Sequence, residues 1–103
     1  MRTKSYQEYL IKSLKNPKEA SAYLNAALEE KDTAVFLLAL RNVAEAFGGL
    51  AVISKKAHLN RESLYRMLSE KGNPEIASLE AILESIGLRL AVEVKSKNHR
   101  RAA

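Results

Sequence analysis

Apolar residues recur at three- and four-residue intervals along most of the chain, and capping signals divide that pattern into six helical segments before the period changes near the C-terminus. Ser5 followed by Glu8 has the spacing of a capping box, and Tyr6, Tyr9, Leu10 and Leu14 place an apolar stripe on a first helix ending near Leu14. Asn16-Pro17 with Glu19 predicts a second helix with a cap and a first-position proline, its inward face carrying Ala20, Tyr23, Leu24, Ala27 and Leu28. Asp32 is the expected cap of a third, apolar almost all round from Ala34 to Leu40 before Arg41, Asn42 and Glu45 supply a polar face. Gly48-Gly49 ends it.

Residues 49–69 read as two short helices joined by a tight turn, the arrangement of a helix-turn-helix. The first, about Leu50 to Ala57, turns Leu50, Ile53 and Ala57 inward. The second starts at Asn60, a favoured N-cap residue, with Leu59 before the cap and Leu64 four positions inside as a hydrophobic staple. Leu64, Met67 and Leu68 then bury one side, leaving Arg61, Glu62, Tyr65 and Arg66 nearer the outside.

Asn73-Pro74 predicts the start of a final helix with Ile76, Leu79, Ile82, Leu83 and Ile86 in helical register and Gly87 as its stop. In LRLAVEV the period becomes two: Leu88, Leu90, Val92 and Val94 alternate with Arg89, Ala91 and Glu93, which predicts a half-buried strand over 88–94. No second strand is legible. Its unpaired N–H and C=O groups therefore call for a strand from another molecule, and a homodimer through Leu88, Leu90, Val92 and Val94 is expected, with the partner protein as the other possible occupant.

The 103 residues, 47% of them hydrophobic and 28% charged, suffice for one globular domain. With no cysteine there is neither a disulfide nor a thiolate metal site. The N-terminus lacks the apolar core of a signal peptide and no apolar run reaches spanning length, so a cytoplasmic protein is expected. The net charge of +5 is unevenly placed. Cations gather at Lys55, Lys56, Arg61, Arg66 and Lys71, against Glu62 and Glu70, and again in the tail from Lys95 to Arg101, whereas residues 73–94 are acidic. A polyanionic partner is the simplest consequence, a merely solubilising surface the bland one.

If the helix-turn-helix enters a major groove, Arg61 suits a guanine edge and Glu62 a cytosine amino group, with Asn60, Ser63, Tyr65 and Arg66 facing bases or flanking phosphates. Lys55, Lys56 and Lys71 would hold phosphates without reading sequence. The competing interpretation is an αα-hairpin with a solvated charged face. Tyr6, Tyr9 and Tyr23 fall on inward stripes, which favours core packing over base stacking. His58 and His99 are far apart with no carboxylate at ligand spacing, no phosphate-binding loop occurs, and no serine sits in a nucleophile motif, so neither a metal site, a cofactor nor an enzyme is expected.

The segments YLNAALEE, FLLALRNVAEAFGGL and LNRESLYRMLSEKGNPEIASLEAILESIGLRL resemble the addiction-module antidote proteins, antitoxins with a lambda-repressor-like helix-turn-helix of the Xre and HigA type. The resemblance covers nearly the whole chain, and ALRNVAEAFGGL and RESLYRMLSEKGNP are its most specific parts. Joined to the elements read above, it gives an all-α, lambda-repressor-like bundle of about six helices with one C-terminal β-strand, a single DNA-binding domain over 1–94 followed by a tail, 95–103, that is basic, lacks apolar periodicity and is expected to be mobile. It also implies a dimeric type II antitoxin that represses its own operon on double-stranded DNA and neutralises a RelE-type toxin that cleaves messenger RNA. The sequence departs from the family at His58, where a turn glycine is usual, and at Ser54, where alanine is usual. Both should cost little, since histidine enters left-handed backbone conformations more readily than most residues and serine is nearly alanine-sized. The alternative function is a protein-interaction module without sequence-specific DNA binding, in which the N-terminal helices, with Glu29, Glu30 and Asp32, or the strand meet a basic partner.

Overall fold

Asn16, Asp32 and Asn60 each stand one residue before a helix and accept backbone N–H bonds from its first turn, so three of the predicted starts are realised by the predicted caps. The computed structural model describes the backbone of residues 2–95 and the side chains of residues 6–95. Within them lie α1 (Arg2–Ser13), α2 (Pro17–Glu29), α3 (Thr33–Ala46), α4 (Leu50–Ala57), α5 (Arg61–Met67) and α6 (Ile76–Ser85). None is long and apolar enough to cross a membrane by itself.

α3 is the central element. It packs on α1, α2 and α4, and its Leu37, Leu40 and Val43 have no solvent-exposed surface. Around it Leu14, Leu24, Ile53, Leu64, Leu68, Ile82, Leu83 and Ile86 form one continuous core, each large side chain stabilising the fold by roughly 1.5–3 kcal/mol on burial. At the end of α3 the chain turns by 89° into α4. Gly48, at φ +115°, makes that turn possible: its N–H donates to the Glu45 carbonyl at 3.2 Å and that of Gly49 to Ala44 at 2.9 Å, a paired C-terminal cap that an L side chain would strain.

Four expectations about the helices are corrected. α1 begins at Arg2, upstream of Ser5, so Ser5 does not start it; the Ser5 side chain lies outside the described residues. The inward side of α1 carries half-buried Leu10 and Ile11 and leads to buried Leu14 just past its end, while exposed Gln7 donates from its amide to Asn42 on α3 at 3.2 Å; this rotation leaves Tyr6 and Tyr9 65% and 71% exposed instead of packed inward. Leu28, expected on the inner face of α2, is likewise exposed, while Tyr23 is half-buried. α6 starts at Ile76, two residues after Pro74, and Ile76 is exposed. Residues 72–75 are used instead to bring the chain back from α5, with Gly72 so close to the Met67 carbonyl that a Cβ there would lie 1.9 Å from its oxygen.

The predicted strand over 88–94 is absent among the described residues. Leu88 is tied to α6, its N–H donating to the Leu83 carbonyl at 2.8 Å above the left-handed Gly87, and is half-buried against the core. Beyond it no backbone hydrogen bond forms among the described residues, and Val92 and Val94 are 99% and 93% exposed. A ladder needs a second strand, and the described residues offer none. Apart from Lys95, the basic tail lies outside the described residues.

Candidate nucleic-acid interface

Placement of α5 follows from its neighbours in the chain. α4 ends with His58 in the left-handed region, φ 59° and ψ 44°; the His58 N–H donates to Lys55 at 3.3 Å and that of Leu59 to Ser54 at 2.9 Å. This is the paired cap that closes α3, made here with a histidine where glycine is the usual choice. Ser54 is buried, and its hydroxyl donates to the Ala51 carbonyl at 2.8 Å, so the added oxygen is satisfied inside its own helix. Residues 58–60 then turn the chain. Asn60 Oδ1 accepts the Ser63 N–H at 2.9 Å, while half-buried Leu59 and fully buried Leu64 supply the apolar contact on either side of the cap.

The far end of α5 is held from α3. The Arg41 guanidinium donates to the Leu68 carbonyl, where the partial negative charge of the helix end favours a cation. With Leu64 and Leu68 inward and Met67 half-buried, α5 can present only its other side. That side carries Arg61, Glu62, Tyr65 and Arg66, all exposed, and Lys55 and Lys56 are exposed in the last turn of α4.

Two contacts order the outer face. The Arg61 guanidinium lies 5.7 Å from the centre of the Tyr65 ring one turn later, a cation–π distance. Arg66 Nη2 donates to Ser63 Oγ at 3.4 Å. Asn60 is occupied as a cap through Oδ1, and half-buried Ser63 through its backbone N–H, so both shape the helix start in addition to facing outward. Lys71 is exposed beyond the helix, where it joins Ser63, Arg66 and Gly72 in the wall of an open concavity of about 550 Å³.

The structure thus brings Lys55, Lys56, Asn60, Arg61, Glu62, Ser63, Tyr65, Arg66 and Lys71 onto α4, α5 and the following loop. It leaves Leu90, Val92 and Val94 exposed at the other end of α6 and gathers no three metal-ligating side chains among the described residues. Ser69, Asn73 and Ser78 also line the concavity and were not expected there, Asn73 having been read as a helix cap; the run of small and polar residues after Leu68 was the available signal. Arg41 was read only as part of the polar face of α3; its hold on α5 was missed, since its partner lies 27 positions away.

Comparison with known proteins places the chain in a family. Residues 5–94 match the model described as "Probable addiction module antidote protein". An uncharacterized protein of Haemophilus influenzae is 32% identical over 80 residues, covering 78% of this chain and 81% of its own length. No solved structure gives a significant match. The chain belongs to the addiction module antidote proteins, a family whose description implies a toxin as partner.

Proposed function

We propose that this protein is the antitoxin of a type II toxin-antitoxin module, a cytoplasmic repressor that binds its own operator as a dimer through a lambda-repressor-like helix-turn-helix of the HigA/Xre type. The observation that carries this reading is the one-sided dressing of α5: Leu64 and Leu68 are fully buried, and the opposite side offers Arg61, Glu62, Tyr65 and Arg66 beside Lys55 and Lys56. A guanidinium can donate two bonds to guanine and a carboxylate can accept from cytosine, so this face has donors and acceptors for base edges as well as cations for phosphates. In a two-fold dimer the two α5 helices would enter successive major grooves about 34 Å apart, and the operator would be palindromic.

The toxin in this reading is a RelE-type ribonuclease, basic because it handles RNA. Leu28, Val35 and Leu38 are exposed about the α2–α3 turn together with Glu29, Glu30 and Asp32, an apolar surface with an acidic margin suited to such a partner. The test is electrophoretic mobility shift on DNA upstream of the gene, with scrambled competitor at two salt concentrations. Retardation that resists scrambled competitor, at two chains per site, is the expected result. Equal binding to both DNAs, lost at moderate salt, would leave only the electrostatic component and favour a protein-interaction module.

A further inference from the structure

The segment that follows α6 has a sequence pattern that is symmetric about its centre. From Leu88 to Val94 the chain reads apolar, Arg, apolar, Ala, apolar, Glu, apolar, so that Arg89 and Glu93 stand at equal distances on either side of Ala91. All seven residues except Leu88 are exposed, and beyond the Leu88 N–H the backbone has no hydrogen-bond partner among the described residues.

We infer that Leu88–Val94 pairs antiparallel with the same segment of a second copy, in the single register whose two-fold axis passes through Ala91. The inference rests on the dimer reading above and specifies its geometry. In a two-fold antiparallel pair directly opposed residues point to the same face. Centring on Ala91 sets Arg89 against Glu93 of the second copy twice, Leu90 against Val92 twice, and Leu88 against Val94 twice. Both Arg–Glu pairs fall on one face with Ala91, and the aliphatic residues form the other.

Other registers lose this agreement. An odd offset opposes polar to apolar positions throughout. Centring on Leu90 sets Arg89 against Ala91 and Glu93 against Gly87, while centring on Val92 sets Arg89 against Lys95, like charge against like. Centring on Arg89 or Glu93 opposes each to itself. The favoured register also gives Val94 a place to be buried: it lies opposite Leu88, which already rests on the core, so each copy delivers its Val94 to the edge of the other's core.

The test is charge exchange in the full chain, read by sedimentation velocity. The wild type should dimerise. Arg89→Glu and Glu93→Arg each place two like-charge pairs across the axis and should weaken the dimer at least about tenfold. An equimolar mixture of the two variants should recover near wild-type affinity as a heterodimer, because each chain then supplies the charge the other lacks; Arg89→Glu/Glu93→Arg in one chain should recover it too. Both side chains are exposed, and far-ultraviolet circular dichroism checks that the variants remain folded. Since the chain has no cysteine, Ala91→Cys provides an independent measure. It should form an intermolecular disulfide on mild oxidation, whereas Lys95→Cys, about 27 Å from its twin in this register, should not. A wild-type dimer indifferent to the charge changes, or cross-linking at Lys95→Cys but not Ala91→Cys, overturns the register and leaves the dimer standing. A wild type that remains monomeric overturns the dimer, and the register with it.

Discussion

Asn42 of α3 donates through Nδ2 to the Tyr23 hydroxyl of α2 at 2.9 Å and accepts through Oδ1 from the Gln7 amide of α1 at 3.2 Å, so one side chain joins three helices. α1 and α2 both pack on α3, and the junction adds polar contacts to that packing. Asn42→Ala should destabilise the protein by about 1–2 kcal/mol and Tyr23→Phe by about 1 kcal/mol in urea unfolding. The double variant should cost less than the sum. Strict additivity would mean that the bond contributes nothing to stability.

Gly72 tests a different constraint. Its φ is ordinary, but a Cβ would lie 1.9 Å from the Met67 carbonyl oxygen and 2.5 Å from its carbon, backbone atoms that cannot rotate aside. Gly72→Ala should therefore lower stability by roughly 1–3 kcal/mol and shift the loop that carries Lys71. Gly87→Ala is the comparison: nothing lies within 4 Å of its Cβ position, and only the φ of +85° opposes it, at about 1–2 kcal/mol. Unfolding midpoints of the two variants measure the difference, and a Gly72→Ala protein as stable as wild type would mean that the turn has an unstrained alternative.

What could be read from the sequence divides along the same line, between local and distant causes. Asn16, Asp32 and Asn60 bond to N–H groups two or three residues ahead, so the starts of α2, α3 and α5 were legible from neighbours alone. The inner face of α1 is set where Leu10, Ile11 and Leu14 meet the core and Gln7 meets Asn42 35 positions away, and no local pattern distinguishes that rotation from one that buries Tyr6 and Tyr9. Pro74 misled for a related reason. An Asn-Pro pair suits a helix start and a loop equally, and the close approach of Gly72 to Met67 decides for the loop. For the interface, burial of Leu64 and Leu68 determined which side chains of α5 face outward, and this was legible; the clamp by Arg41 on Leu68 was not.

His58 holds a left-handed conformation that favours glycine. Removing its Cβ relieves strain of about 1–2 kcal/mol, offset in part by the greater freedom of glycine in the unfolded chain, so His58→Gly should stabilise by roughly 0.5–1 kcal/mol. His58→Val should destabilise, because a β-branched residue tolerates this region least. Thermal unfolding of both variants settles the sign. A less stable His58→Gly would show that the imidazole makes a contribution larger than the strain.

Arg61 is the strongest candidate for reading a base. It occupies the first position of α5, is exposed, and is steadied by the Tyr65 ring. Arg61→Ala should reduce the preference for operator over scrambled DNA by roughly 5- to 150-fold, the equivalent of about 1–3 kcal/mol, without lowering the unfolding midpoint appreciably. Tyr65→Ala should give a smaller loss in the same direction, since the ring only orients the guanidinium, with about 0.5–1 kcal/mol at stake. Competition binding with both DNAs checks the pair. An undiminished preference in Arg61→Ala would remove it as a reader.

Lys55 and Lys56 should behave in the opposite way, and the contrast separates the two kinds of contact. They sit in the last turn of α4, outside the helix proposed to enter the groove, and their compact ammonium groups favour phosphate contacts over two-bonded base recognition. Replacing both by alanine should weaken binding to operator and scrambled DNA by similar factors, leaving their ratio intact. Each lost phosphate contact removes about 0.9 from the slope of log affinity against log salt, so the double variant should flatten that slope by nearly 2. Titrations at several salt concentrations on both DNAs provide the measurement. If the slope holds while the ratio falls, these lysines contact bases, and α4 lies deeper in the groove than the proposed docking allows.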